Sequence, residues 1–242
     1  KTLFPYTTLF RSKKRFVFKY LVIILFLVGL WNVWKPLPSE INKSWESRTV
    51  APSQIKLLTD TTYIDAGGKR VSDQQIFDEV ISMIQNAKSY IFIDMFLWND
   101  FGADPTKVHR ALSSELANAL IAKKKENPKI VIQVVSDPIN SVYGGQPAKL
   151  FDEMEKAGII VTMTNLSALR DSNPILSSLW RVFVFPVEYL HTRLIGGTYT
   201  VRLIPNILGG NENVTVRAYL SLLNFKANHR KLIVADETKN GV

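Results

Sequence analysis

Cysteine is absent from all 242 residues, which excludes disulfides, thiolate metal sites and a Cys nucleophile while leaving the compartment open. Histidine is scarce, so imidazole chemistry falls to His109, His191 or His229. Phosphate-cradling glycine patterns are missing: Gly144-Gly145, Gly196-Gly197 and Gly209-Gly210 stand in no G-x-G-x-x-G or Walker sequence and read as turns. No internal repeat is visible. Acidic residues are absent from positions 1–35, which hold seven Lys or Arg, leaving 23 basic against 21 acidic residues for everything after them. The formal charge of +9 is therefore an amino-terminal feature, where a membrane topology signal belongs. A remainder near +2 offers no broad basic face to a duplex, so nucleic acid is not expected as a partner.

What is present is an apolar, foldable chain, 46% hydrophobic and 21% charged, with room for a membrane segment and one domain of ordinary size. Residues 16–34 (FVFKYLVIILFLVGLWNVW) are long enough to span a bilayer, with Lys13, Lys14 and Arg15 ahead of them and Lys19 able to snorkel. Trp31 and Trp34 suit the far interface. Positive charge before the segment predicts a cytoplasmic amino terminus, a single pass and an extracytoplasmic domain. A cleaved signal peptide is the competing reading, weakened by the flank Trp34-Lys35-Pro36-Leu37-Pro38-Ser39, which lacks a small-x-small site. Residues 1–15 form a basic tail. Its first dozen (1–12) resemble translated sequencing adapter and are set aside from fold reasoning. Residues 35–54, with three prolines, read as a linker.

From 55 to 242 the pattern predicts an α/β fold, a mixed, largely parallel sheet flanked by helices and preceded by the one transmembrane helix. Ser72 with Gln75 reads as a capping box, opening a helix whose inner face is Ile76, Phe77, Val80, Ile81 and Ile84. The apolar run 90–98 reads as a strand covered on both faces. Asp94 interrupts it, either ordering a site or bonding backbone at a strand edge. A second helix is expected over 108–125, its Lys123-Lys124-Lys125 end favourable to the macrodipole. Then come a strand over 130–135, a helix over 147–157 stopped by Gly158, and a strand over 159–164. Periodicity fades from 165 to 213. The stretch 180–187 (WRVFVFPV) is consistent with core packing, or with a loop that holds acyl chains or touches the bilayer.

Chemistry concentrates near the carboxyl end, where Asn228-His229-Arg230-Lys231-Leu232-Ile233-Val234-Ala235-Asp236 spells H-x-K-x-x-x-x-D on an apolar run. In a strand His229 and Lys231 share a face, about 7 Å apart, while Arg230, Leu232 and Val234 face away. An imidazole can attack phosphorus while the neighbouring ammonium neutralises the non-bridging oxygens. Asp236 has the opposite parity and opens a turn-like stretch, so a structural role is expected of it.

The words Asn-Phe-Lys-Ala-Asn-His-Arg-Lys-Leu-Ile-Val-Ala-Asp resemble the first motif of the phospholipase D superfamily, in the branch that includes cardiolipin synthases. The resemblance covers roughly 55–236. It implies His229, Lys231 and Asp236 as the catalytic motif, a covalent phosphohistidine on His229, phosphate contact from Lys231 with Asn228 beside it, and no metal or organic cofactor. It also implies a phospholipid substrate met at the membrane. The family completes its site with a second such motif, which neither His109 nor His191 supplies, so a missing second half or a second subunit is expected as partner. On this reading the chain is a fragment cut after its first motif and inactive alone. The alternatives are a superfamily nuclease working as a dimer and a non-catalytic, membrane-anchored lipid-binding module.

Overall fold

The computed structural model describes residues 6–40, 44–101, 110–186, 202–209 and 212–236. They fall into two compact units, each assembled from separate stretches of chain: Lys1–Lys43 with Asn165–Leu203 and Thr215–Lys226, and Ser44–Thr164 with Ile204–Val214 and Ala227–Val242.

The second unit is mixed α/β. It opens with a hairpin, β1 (Asp60–Ile64) antiparallel to β2 (Arg70–Gln74). Its turn is closed by the Asp65 carboxylate, which accepts from the N–H of Gly67 and of Lys69, and Gly68 adopts the left-handed φ of +78° that a side chain would resist. The expected capping box is not formed. Ser72 lies within β2 with its hydroxyl 3.1 Å from that of Thr62, and the helix α2 (Gln75–Asn86) starts later. Asp60, across the hairpin, takes the Ile76 N–H at 3.0 Å instead. Strand pairing claims residues 70–74, so the cap comes from a distant residue.

Four strands make the main sheet, in the order β5 (Ile160–Met163), β4 (Val131–Ser136), β3 (Tyr90–Met95), β8 (Lys231–Ala235). The pairings β3–β4 and β4–β5 are parallel, and β8 joins β3 antiparallel, with Met95 opposite Lys231 and Ile91 opposite Ala235. The parallel strands need long crossovers, supplied by α3 (Leu112–Glu126) and α4 (Lys149–Lys156). At the end of α4, Gly158 takes φ +84° and stops the helix, as its position predicts.

One face of the sheet carries the core. Ile91 and Ile93 of β3, Ile132 and Val134 of β4, Ile84 of α2, Leu116 and Leu120 of α3 and Met154 of α4 are essentially without solvent contact. Each such side chain is worth about 1.5–3 kcal/mol in burial. On the other face β3 is still covered, with Tyr90 and Phe92 half-buried and Asp94 buried, but the strands around it are barer: among the described residues Val131, Ile160, Leu232 and Val234 keep about half their surface. The strand also ends at Met95 rather than 98. Trp98 leaves it to pack edge-on against Phe151, centroids 5.8 Å apart.

The first unit holds α1 (Tyr6–Trp34), of which Lys14–Trp34, 21 residues containing an 18-residue window of mean hydropathy 2.2, is long and apolar enough to cross a membrane. The region expected to lack periodicity is in part helical. The helix α5 (Pro174–Leu179) continues without a break through a π turn, Trp180–Val184, and α6 spans Val216–Leu223. Asn173 caps α5 by accepting the Leu176 N–H, with Pro174 at the first helical position, and Thr215 caps α6 through Ala218. A short ribbon of β6 (Arg202–Pro205) and β7 (Asn213–Thr215) lies between these helices in sequence.

Candidate functional site

The antiparallel pairing of β8 on β3 fixes the face of Lys231. Ile233 and Ala235 pack onto the core, so Lys231, of the same parity, lies on that face beyond the last core residue, at the carboxyl end of β3; β8 begins only at Lys231, and His229 precedes it. Leu232 and Val234 occupy the opposite face. The ladder extends one step past the strand through the Phe96 N–H, which donates to the Arg230 carbonyl at 3.0 Å.

Phe96 organises the pair. The His229 ring meets it edge-on with centroids 4.7 Å apart, and the Lys231 Nζ stands 5.1 Å from the same centroid while donating to the His229 carbonyl at 3.0 Å. Imidazole and ammonium thus share one aromatic wall, and both are open to solvent. Phe96 also walls a cavity of about 410 Å³ with Leu97, Asn99, Phe101, Ser113, Ile139 and Leu208.

Behind the motif lies a polar scaffold on the ends of β3 and β4. Asn228 donates its backbone N–H to Asp137 Oδ2 at 2.6 Å and its Nδ2 to Asp94 Oδ1 at 2.7 Å. One hydrogen of its amide nitrogen is therefore committed to the protein, leaving the second and Oδ1 for a substrate. Asp94, 3% exposed, also stands 3.8 Å from the Arg230 guanidinium, so the acid that interrupts the apolar run anchors the residues on both sides of His229. Asp137 is sealed from solvent. Burial pushes its carboxyl up, and the N–H groups of Ile139 and Asn228 oppose that rise.

Asn140 fixes the two strand ends to each other. Its Nδ2 donates to the Phe96 carbonyl and the Ser136 hydroxyl, both at 2.8 Å, while its Oδ1 accepts from the Trp98 N–H and Asn99 Nδ2. Phe96 is held on the chain that Asn140 clamps.

Asp236 stands at the other end of β8. Its carboxylate accepts the backbone N–H groups of Lys88, Ser89 and Tyr90 and the Ser89 hydroxyl. The Ser89 hydroxyl, followed by those amides, holds its pKa at about 2 despite the opposing effect of burial. Asp236 thus ties the end of β8 to the start of β3 and sits a strand's length from His229. His109, His191 and the turn expected after Asp236 lie outside the described residues.

Among the described residues no three His, Asp or Glu side chains converge as metal ligands would. Asp137, Asn140 and Phe96 were not singled out as site residues from sequence. In sequence the pair Asp137-Pro138 reads only as the end of the strand over 130–135, and nothing local distinguishes Phe96 from its apolar neighbours. No protein-family model matches the chain, and no curated protein matches it.

Proposed function

We propose that the chain is part of a membrane-anchored phosphodiesterase or phosphatidyltransferase of the phospholipase D kind, with a phospholipid as substrate. The observation that carries this reading is the placement of His229 and Lys231 against one aromatic ring, both accessible, at the end of the sheet. An imidazole nitrogen of His229 attacks phosphorus, the bond to the leaving alcohol oxygen breaks, and a phosphohistidine forms. Lys231 neutralises the non-bridging oxygens as charge builds on them. Water or a second alcohol then attacks phosphorus from the other side and the N–P bond breaks. The proton for the leaving oxygen comes from an acid on a complementary half, supplied by a second motif or a second copy.

Asn228, Asp94 and Asp137 position the nucleophile in this scheme, and Asp236 fixes the strand that bears it. The basic amino-terminal end of α1 remains cytoplasmic and the α/β unit lies outside. The test is turnover of labelled phosphatidylglycerol or phosphatidylethanolamine by the full-length protein in vesicles. Headgroup release or transfer that His229→Ala abolishes is expected. Absence of any turnover sensitive to His229→Ala sinks the enzyme reading, leaving the lipid-binding module.

A further inference from the structure

The helix formed by α5 and its π turn runs alongside α1 in a fixed order. Lys35 Nζ donates to the Ser167 carbonyl at 2.8 Å, the Asp171 N–H donates to the Asn32 carbonyl at 3.0 Å, and the Pro174 carbonyl lies 3.1 Å from where a Cβ on Gly29 would stand. Farther along, Ser178 and Leu179 face Val22 and Phe26 across a cleft of about 550 Å³. The chain therefore descends α1 from its Trp34 end toward its middle, antiparallel to it.

Its outward surface is apolar. Ile175 keeps 75% of its surface, Phe183 48% and Phe185 55%, and Ser178 is the one hydroxyl lining the cleft. Water would find almost nothing to bond there. The 11 residues Pro174–Val184 extend about 16 Å, half of the ~30 Å hydrocarbon core, so such a helix enters a bilayer without crossing it.

Charges in the same unit gather where α1 ends. Asp171, its side chain fully buried, holds Arg181 Nη2 at 3.2 Å and Lys226 Nζ at 2.9 Å, and Arg170 Nε donates to the Lys35 carbonyl. Burial alone would raise the Asp171 carboxyl, but the Ser177 hydroxyl, Lys226 and Arg181 hold it well below the usual carboxylate range. Arg181, the one charge on the apolar helix, is drawn back toward the Trp34 end by its acid partner, as a cation near hydrocarbon must be. Lys35, Arg170, Arg181 and Lys226 outnumber the Asp171 carboxylate among the described residues that meet there, which leaves the cluster cationic and suited to lipid phosphates.

We infer that residues 174–184 form a re-entrant helix: the occupant of their exposed apolar face is the acyl-chain layer of the bilayer that α1 spans. The premise is the α1 span alone; the His229 chemistry plays no part in it. The helix would seat the protein against the lipid surface at two points and orient Arg181 and Lys226 toward headgroups.

Because the chain has no native cysteine, single-cysteine variants report directly. Ile175→Cys and Phe183→Cys are compared with Phe26→Cys on α1 and with the exposed Leu57→Cys, in vesicles of phosphatidylethanolamine and phosphatidylglycerol. A membrane-impermeant maleimide should label positions 175 and 183 at least about tenfold more slowly than 57 from either side of the bilayer. A bimane label at 183 should be quenched most by a nitroxide deep in the acyl chain, and one at 175 by a shallow nitroxide, their separation along the helix being about 12 Å. Labelling of 175 and 183 at the rate of 57, with 26 protected, overturns the re-entrant helix while leaving α1 in place. Labelling of all four at one rate overturns the α1 span and the inference with it. Slow labelling without nitroxide quenching assigns the protection to protein packing and also overturns it.

Discussion

Replacing Asp236 by Asn removes the charge that joins β8 to β3 and turns one acceptor oxygen into a donor facing the Ser89 N–H. A carboxyl held at about 2 instead of its ordinary 3.8 would be worth up to about 2.5 kcal/mol if shielded from water. The group sits at the margin of the sheet, partly open to solvent, so about 1 kcal/mol is expected after screening. The folded-state pKa is depressed. The contribution is therefore complete above about pH 4, where the unfolded group is already ionised, and fades as pH falls through about 2. Hydrogen exchange followed by mass spectrometry on the detergent-solubilised chain reads this locally. Asp236→Asn should raise the opening constant of the β3 and β8 amides about fivefold at pH 7. The wild type should show the same loosening between pH 4 and pH 2, which the variant lacks. Unchanged protection in the variant, or an identical acid response in both proteins, would refute the assignment of Asp236 as the clamp of this edge strand.

Lys231→Ala should lower kcat by about 10²–10³ in the phospholipid assay, with Lys231→Arg retaining part of the rate. An effect confined to KM would place Lys231 in ground-state binding alone. Asn140→Ala leaves the Trp98 N–H and Asn99 amide without their acceptor and should cost about 2 kcal/mol, read as a lower denaturant midpoint. Asn228→Ala, which frees Asp94 from its partner while keeping the backbone bond to Asp137, should reduce kcat more than it reduces stability; a loss of stability alone would make Asn228 purely structural.

Much of the α/β unit was legible because its signals are local. The apolar run at 130–135 forms β4, the run at 90–98 forms β3 as far as Met95, and Gly158 stops its helix because only glycine takes that φ cheaply. A period of two predicts a shared face for His229 and Lys231, but β8 begins at Lys231, and the two meet through the Phe96 ring rather than through strand alternation. The misses come from partners remote in sequence. Ser72 and Gln75 spell a cap, yet Thr62 and its neighbours recruit Ser72 into a hairpin and Asp60 caps the helix instead. Phe96 becomes the wall of the site only when β8 pairs with β3, and Asp137 acquires its role only when Asn228 arrives beside it. In the stretch 174–184 both possible environments of an apolar helix, core or lipid, give the same composition, so the sequence alone does not separate them; its alignment along α1 is the added observation from which the re-entrant proposal starts.

The central claim is that the imidazole of His229 bonds to phosphorus. Turnover of phosphatidylglycerol quenched in the steady state, with peptide mass spectrometry of the protein, tests it directly. A phosphatidyl adduct on His229, absent from His229→Ala and accumulating when acceptor is withheld, is the predicted result. Turnover that proceeds with no adduct on His229, or with the adduct on another residue, would contradict it.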